Sequence, residues 1–210
     1  MTASFRLGLA LSGALILSAA GALAQDYPTR TITIVVPFPP GGLTDEPARV
    51  FATMLQQRIG QNVVIENKTG GNGTIGAGFV ARAAPDGYIL LANSLADAQN
   101  VHFVAVLAAP QRLFGGPDVP TFREIGYDID FRGFVGLAAP KRTPQPLITY
   151  LNKELNAVTQ SDLFRHRMGE LGMTVVAAAD NTPDRYDAYL RAETARQGAI
   201  AKLTGAAMPK

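Results

Sequence analysis

Apolar residues fall into short β-branched runs, separated by stretches in which they recur every third or fourth position. Ile32, Ile34, Val35 and Val36 form the first run, which predicts a strand covered on both faces. It stops at Pro37, and a turn follows, Phe38-Pro39-Pro40-Gly41-Gly42. A helix then opens, with Thr44 as N-cap, Asp45 and Glu46 in its first turn and Pro47 still inside it. Ala48, Phe51, Met54 or Leu55, and Ile59 carry the helical period until Gly60 ends it. Val63–Ile65 reads as a second strand. A glycine-rich loop, Gly70 to Gly76, leads into a helix over about Gly76 to Ala84. The turn Pro85-Asp86-Gly87 precedes a third strand, Tyr88–Leu91. This βαβαβ order predicts parallel strands joined by right-handed crossovers.

Past Ala92 the rhythm breaks. Residues Asn93 to Asn100 read as a loop or a weak helical turn, and Val101–Leu107 as a strand. Pro110 to Pro120 is irregular. Thr121-Phe122-Arg123-Glu124 is a capping box for a short helix ending at Gly126. Phe131–Leu137 reads as a strand. A helix follows from about Pro146 to Gln160, with Leu147, Leu151, Leu155 and Val158 on one face. Ser161 or Asp162 caps the next helix, which ends at Leu171-Gly172. Thr174–Ala177 reads as a strand, and Thr182-Pro183 opens a final helix carrying Tyr186, Tyr189, Leu190 and Ile200. No internal repeat or low-complexity tract interrupts the pattern.

The N-terminus stands apart. Arg6, the apolar run Leu7 to Leu17 and Ala22-Leu23-Ala24 before Gln25 read as a secretory signal peptide over 1–24, with an uncleaved anchor as the alternative. That run is short for a bilayer span of about 20 residues. The rest, 25–210, suits one domain in an extracytoplasmic compartment. The chain has no cysteine, which excludes disulfides and thiolate metal sites. A net charge of +2 without a Lys/Arg run or aromatic platform argues against nucleic-acid binding.

Candidate chemistry centres on the first strand–turn–helix. A helix start offers free N–H groups and a positive dipole end, a natural seat for a small anion. Gly41 and Gly42 permit close approach to the backbone there, although a plain strand-to-helix turn would need the same residues. Gly71-x-Gly73-x-x-Gly76 matches a dinucleotide fingerprint, but Asn67 to Gly70 separate it from the strand, so a nucleotide reading is set aside. His102 and His166 lie far apart without a carboxylate pair at metal spacing, and no nucleophile–base order stands out. No metal, no cofactor and no catalytic residue are expected.

These residues, taken in order, resemble the Bug family, the periplasmic receptors of tripartite tricarboxylate transporters. The resemblance begins at Tyr27-Pro28 and runs through Pro37-Phe38-x-Pro40-Gly41-Gly42-x-x-Asp45 with Ala48-Arg49. It continues as Val64-x-Glu66-Asn67, Gly73-x-Ile75-Gly76-Ala77 and Ala84-Pro85-Asp86-Gly87-Tyr88, and resumes at Arg112 and at Pro117-Asp118-Val119-Pro120-Thr121-Phe122-x-Glu124-x-Gly126. Gly136-Leu137-x-Ala139-Pro140, Thr143-Pro144 and Leu151-Asn152-x-Glu154 complete it.

The resemblance implies an α/β fold, a periplasmic-binding-protein-like (type II) lobe with a mostly parallel sheet flanked by helices. It also implies a second lobe, here largely missing: roughly one hundred residues, a small domain's worth, are absent between about Asn93 and Asn100. The remaining lobe would combine an N-terminal part, 25–94, with a C-terminal part, 100–210. The implied function is periplasmic binding of a small carboxylate for uptake through membrane permease subunits, weakened by loss of the facing lobe. The alternative is a folded remnant or interaction protein without ligand binding. The implied ligand contacts are Phe38, Pro40, Gly41, Gly42, Asp45 and Ser94, with Asp45 ordering the loop and Ser94 open to reading as a plain loop serine. Glu46 departs from the family's small or apolar residue and would repel an anion if it faced the seat.

Overall fold

The computed structural model describes residues 27–93, 101–110 and 134–204. The leader, the 121–126 helix and Ser94 lie outside them. Six strands form one sheet in the order β2-β1-β3-β5-β4-β6. The strands are β1 (Ile32–Val36), β2 (Val63–Asn67), β3 (Ile89–Asn93), β4 (Val101–Pro110), β5 (Val135–Pro140) and β6 (Met173–Thr174). The helices are α1 (Asp45–Ile59), α2 (Thr74–Ala81), α3 (Gln145–Thr159), α4 (Asp162–Glu170) and α5 (Pro183–Thr204).

The first three strands pair in parallel, as the βαβαβ pattern requires. The other half does not follow. β5 runs antiparallel to both β3 and β4, and β4 runs antiparallel to β6. The sheet is therefore mixed, and the expectation of a mostly parallel sheet is corrected. Strand direction depends on which strands become neighbours, and periodicity along the chain does not carry that.

β1, β3 and β5 feed both faces. Ile32, Ile34, Val36, Leu90, Ala92, Val135, Leu137 and Ala139 pack with α1, α3 and α4, including Phe51 against Phe164. Val35, Leu91 and Ala138 point the other way, against Ala77 and Val80 of α2 and Tyr186 and Leu190 of α5. This period-two division between two buried faces explains the continuous apolar run of β1.

Several boundaries move for identifiable reasons. β2 continues to Asn67 because β1 pairs it over its whole length, with Val36 opposite Asn67. α2 begins at Thr74, after a 3-10 turn over Gly71–Gly73, and ends at Ala81. In α3 Ile148, rather than Leu147, joins Leu151, Leu155 and Val158 in the core; Leu147 sits at the margin. The strand expected over Thr174–Ala177 shrinks to two paired residues. Beyond it the chain is held by side-chain amides on α3 and at its C-cap: Gln160 Nε2 donates to the Val176 carbonyl at 2.8 Å, and Asn152 and Asn156 both donate to the Asn181 carbonyl at 3.0 Å. Ser161 does cap α4, its hydroxyl accepting the Phe164 N–H.

Candidate functional site

The turn between β1 and α1 leaves the sheet at the carboxyl ends of parallel strands, where open α/β sheets expose a crevice. Its centre is Asp45, 1% exposed. Asp45 Oδ2 accepts the Gly41 N–H at 2.8 Å and Arg49 Nε at 2.7 Å, and Oδ1 accepts Asn67 Nδ2 at 2.8 Å. Asn67 Nδ2 also donates to the Phe38 carbonyl at 3.0 Å, and Arg49 Nη2 closes the ring on Asn67 Oδ1 at 2.9 Å. The end of β2, the turn and the first turn of α1 are thus tied by one charge-assisted network. Burial alone would push the Asp45 carboxyl up, but the bonds from Arg49, Asn67 and Gly41 outweigh it and hold the group below its ordinary range.

Two sequence expectations change here. Thr44 occupies the N-cap position but makes no side-chain capping bond; it already has helical φ/ψ. The Gly41 N–H is not free for a ligand, because Asp45 holds it. Gly41 is glycine for its φ of +75°, and Gly42 because an added Cβ would lie 3.3 Å from the Pro39 carbonyl. The N–H groups of Asp45 and Glu46 both return to the Gly42 carbonyl, at 3.0 and 3.1 Å. That leaves the N–H groups of Gly42, Leu43 and Thr44 without a partner among the described residues.

The flanks are built from the second glycine loop. An added Cβ on Gly73 would sit 3.3 Å from the Phe38 ring. One on Gly76 would overlap the Lys68 carbonyl at 2.8 Å and Pro37 Cβ at 2.9 Å. The Gly71-x-Gly73-x-x-Gly76 spacing therefore serves packing of α2 onto Pro37-Phe38. Phe38 is half-buried in that contact, while Pro40 and Glu46 are exposed. His166 is exposed beside Glu170. Among the described residues no three His, Cys, Asp or Glu side chains gather as a metal site, and no helix is long and apolar enough to cross a membrane. Arg49 and Asn67 stand in the motifs that carry the resemblance but were not among the implied ligand contacts. The i, i+4 spacing of Asp45 and Arg49 was the available physical signal for one; the other had only its place in the Val64-x-Glu66-Asn67 motif.

Comparison with known proteins points one way. Residues 47–110 match the model of the tripartite tricarboxylate transporter family receptor. Protein BugT of Bordetella pertussis is 51% identical over 76 residues, which are 36% of this chain and 23% of that protein. A protein from the tcbD-tcbE intergenic region of Pseudomonas sp. is 48% identical over 68 residues, 32% of this chain and 20% of that protein. The matches thus span less than a quarter of these relatives' own lengths. Among solved structures, periplasmic binding protein BugD superposes with a TM-score of 0.78 at 21% identity, covering 86% of this chain and 99% of that one. A Rhodopseudomonas palustris protein solved with malate gives 0.72 at 22%, covering 81% and 98%. Likeness at that identity is one of fold. Matched segment, relatives and fold agree in direction: over residues 47–110 this chain is similar to the tripartite tricarboxylate transporter family receptors, Bug proteins among them.

Proposed function

We propose that the chain is a periplasmic solute-binding protein that seats a small carboxylate on the β1–α1 turn and works with membrane permease subunits. The observation that carries this is the set of three adjacent N–H groups, Gly42 to Thr44, that have no partner among the described residues at a helix start, while the Asp45–Arg49–Asn67 network fixes the turn. Phe38 and Pro40 flank the seat, Gly41 and Asp45 hold its shape, and Ser94, next in sequence after β3, is a further candidate contact. Solved neighbours with adipate and with malate support a carboxylate ligand. Residues 1–24 act as a leader removed on export, and the domain combines 25–94 with 100–210.

One lobe cannot close over a ligand. Without a second wall the ligand stays wet, and each lost 1.4 kcal/mol weakens binding about tenfold. Calorimetric titration of residues 25–210 with malate, adipate and citrate is expected to give a Kd no tighter than about 1 mM, roughly −4 kcal/mol. Submicromolar binding would overturn the argument from the missing lobe. No heat and no thermal stabilisation at tens of millimolar would remove the receptor reading. Leu43 and Ile75, each more than half exposed, support the second reading, an interaction protein. Size-exclusion chromatography separates the two readings, a carboxylate-stabilised monomer favouring the receptor and ligand-indifferent self-association the interaction protein.

A further inference from the structure

The seat has an electrostatic problem. Asp45 accepts the Gly41 N–H, one peptide unit from the open N–H of Gly42, and Glu46 adds a second carboxylate to the same helical turn. Both oppose the positive end of α1. Arg49 is the cation that pairs with Asp45 among the described residues. Its guanidinium is held on two sides, by Asp45 Oδ2 at 2.7 Å and Asn67 Oδ1 at 2.9 Å. We propose that Arg49 is a positioning residue that keeps the turn receptive to anions by neutralising Asp45, so that Asp45 can shape the turn without repelling the ligand. The proposal rests on the carboxylate-seat reading above. The planar fork makes both contacts at once, which a lysine ammonium on a flexible stem does not reproduce. Arg49 is about half exposed, so its removal opens no core cavity.

The test is an NMR-detected titration of the full chain with malate, following the N–H signals of Gly42, Leu43 and Thr44. Wild type, Arg49→Met, Arg49→Lys and the double variant Asp45→Asn/Arg49→Met are compared, each with its thermal midpoint. Expected are saturable shifts in the wild type, at least tenfold weaker binding in Arg49→Met, an intermediate value in Arg49→Lys, and recovery in the double variant, where both charges are gone. A purely structural role does not produce that recovery. Equal affinity of wild type and Arg49→Met, or a double variant no better than Arg49→Met, overturns the proposal and leaves the seat intact. Wild-type signals that do not respond at these three residues overturn the seat reading itself, and the proposal with it.

Discussion

At the residue scale the defining object is a buried carboxylate with every oxygen occupied. Asp45 gives the β1–α1 turn its shape by accepting from a backbone N–H, a guanidinium and a side-chain amide. Its depressed folded-state pKa fixes the sign of a pH effect. Its stabilisation is complete above the unfolded value of about 3.9, and it is lost as pH falls through that value toward the folded one. Urea denaturation is therefore expected to show a wild-type loss of stability below about pH 4 that Asp45→Asn partly removes. At pH 7 the same substitution is expected to cost about 1.5–3 kcal/mol, the range for hydrogen bonds to a charged group. An Asp45→Asn curve parallel to wild type across the acid limb would refute the assignment. The sequence announced this turn, but only folding showed that Asp45 consumes the Gly41 N–H. Side-chain reach across the turn is a three-dimensional quantity.

At the scale of elements, the close approach of α2 to the end of β1 is set by Gly76. An alanine there would press its Cβ on a backbone carbonyl and on Pro37, neither of which can turn aside. Gly76→Ala is expected to cost about 1–3 kcal/mol in urea unfolding, in spite of alanine's better helix propensity. Net stabilisation would mean that the contact relaxes freely. The glycine spacing was legible in the sequence as a loop. The partner that requires the glycine was not legible, because Lys68 and Pro37 come from two other segments. The 175–181 segment teaches the same lesson. A strand was expected over Thr174–Ala177, yet two amides on α3 and that of Gln160 just past its end bond the Asn181 and Val176 carbonyls, and pairing stops at Thr174.

At the scale of the molecule, the sheet is a shared wall between two cores. Leu90 and Leu91 are adjacent in β3, both are fully buried, and they face opposite layers. Leu90→Ala and Leu91→Ala are each expected to cost about 2–5 kcal/mol. Circular dichroism and tyrosine fluorescence should follow one transition in both variants, since neither layer has a sheet of its own. Separate transitions would show that the layers unfold independently. The chain by itself determined the strand–turn–helix units, their apolar faces, the turn residues and the likeness to a receptor family, because these follow from local period and residue type. Tertiary structure alone decided the mixed strand order and the capture of the Gly41 N–H by Asp45. It also decided the placement of Asn67 beside Phe38 and the choice of open N–H groups at the helix start. Each depends on which distant segments become neighbours, and a hydrogen bond spent on one partner is withdrawn from every other.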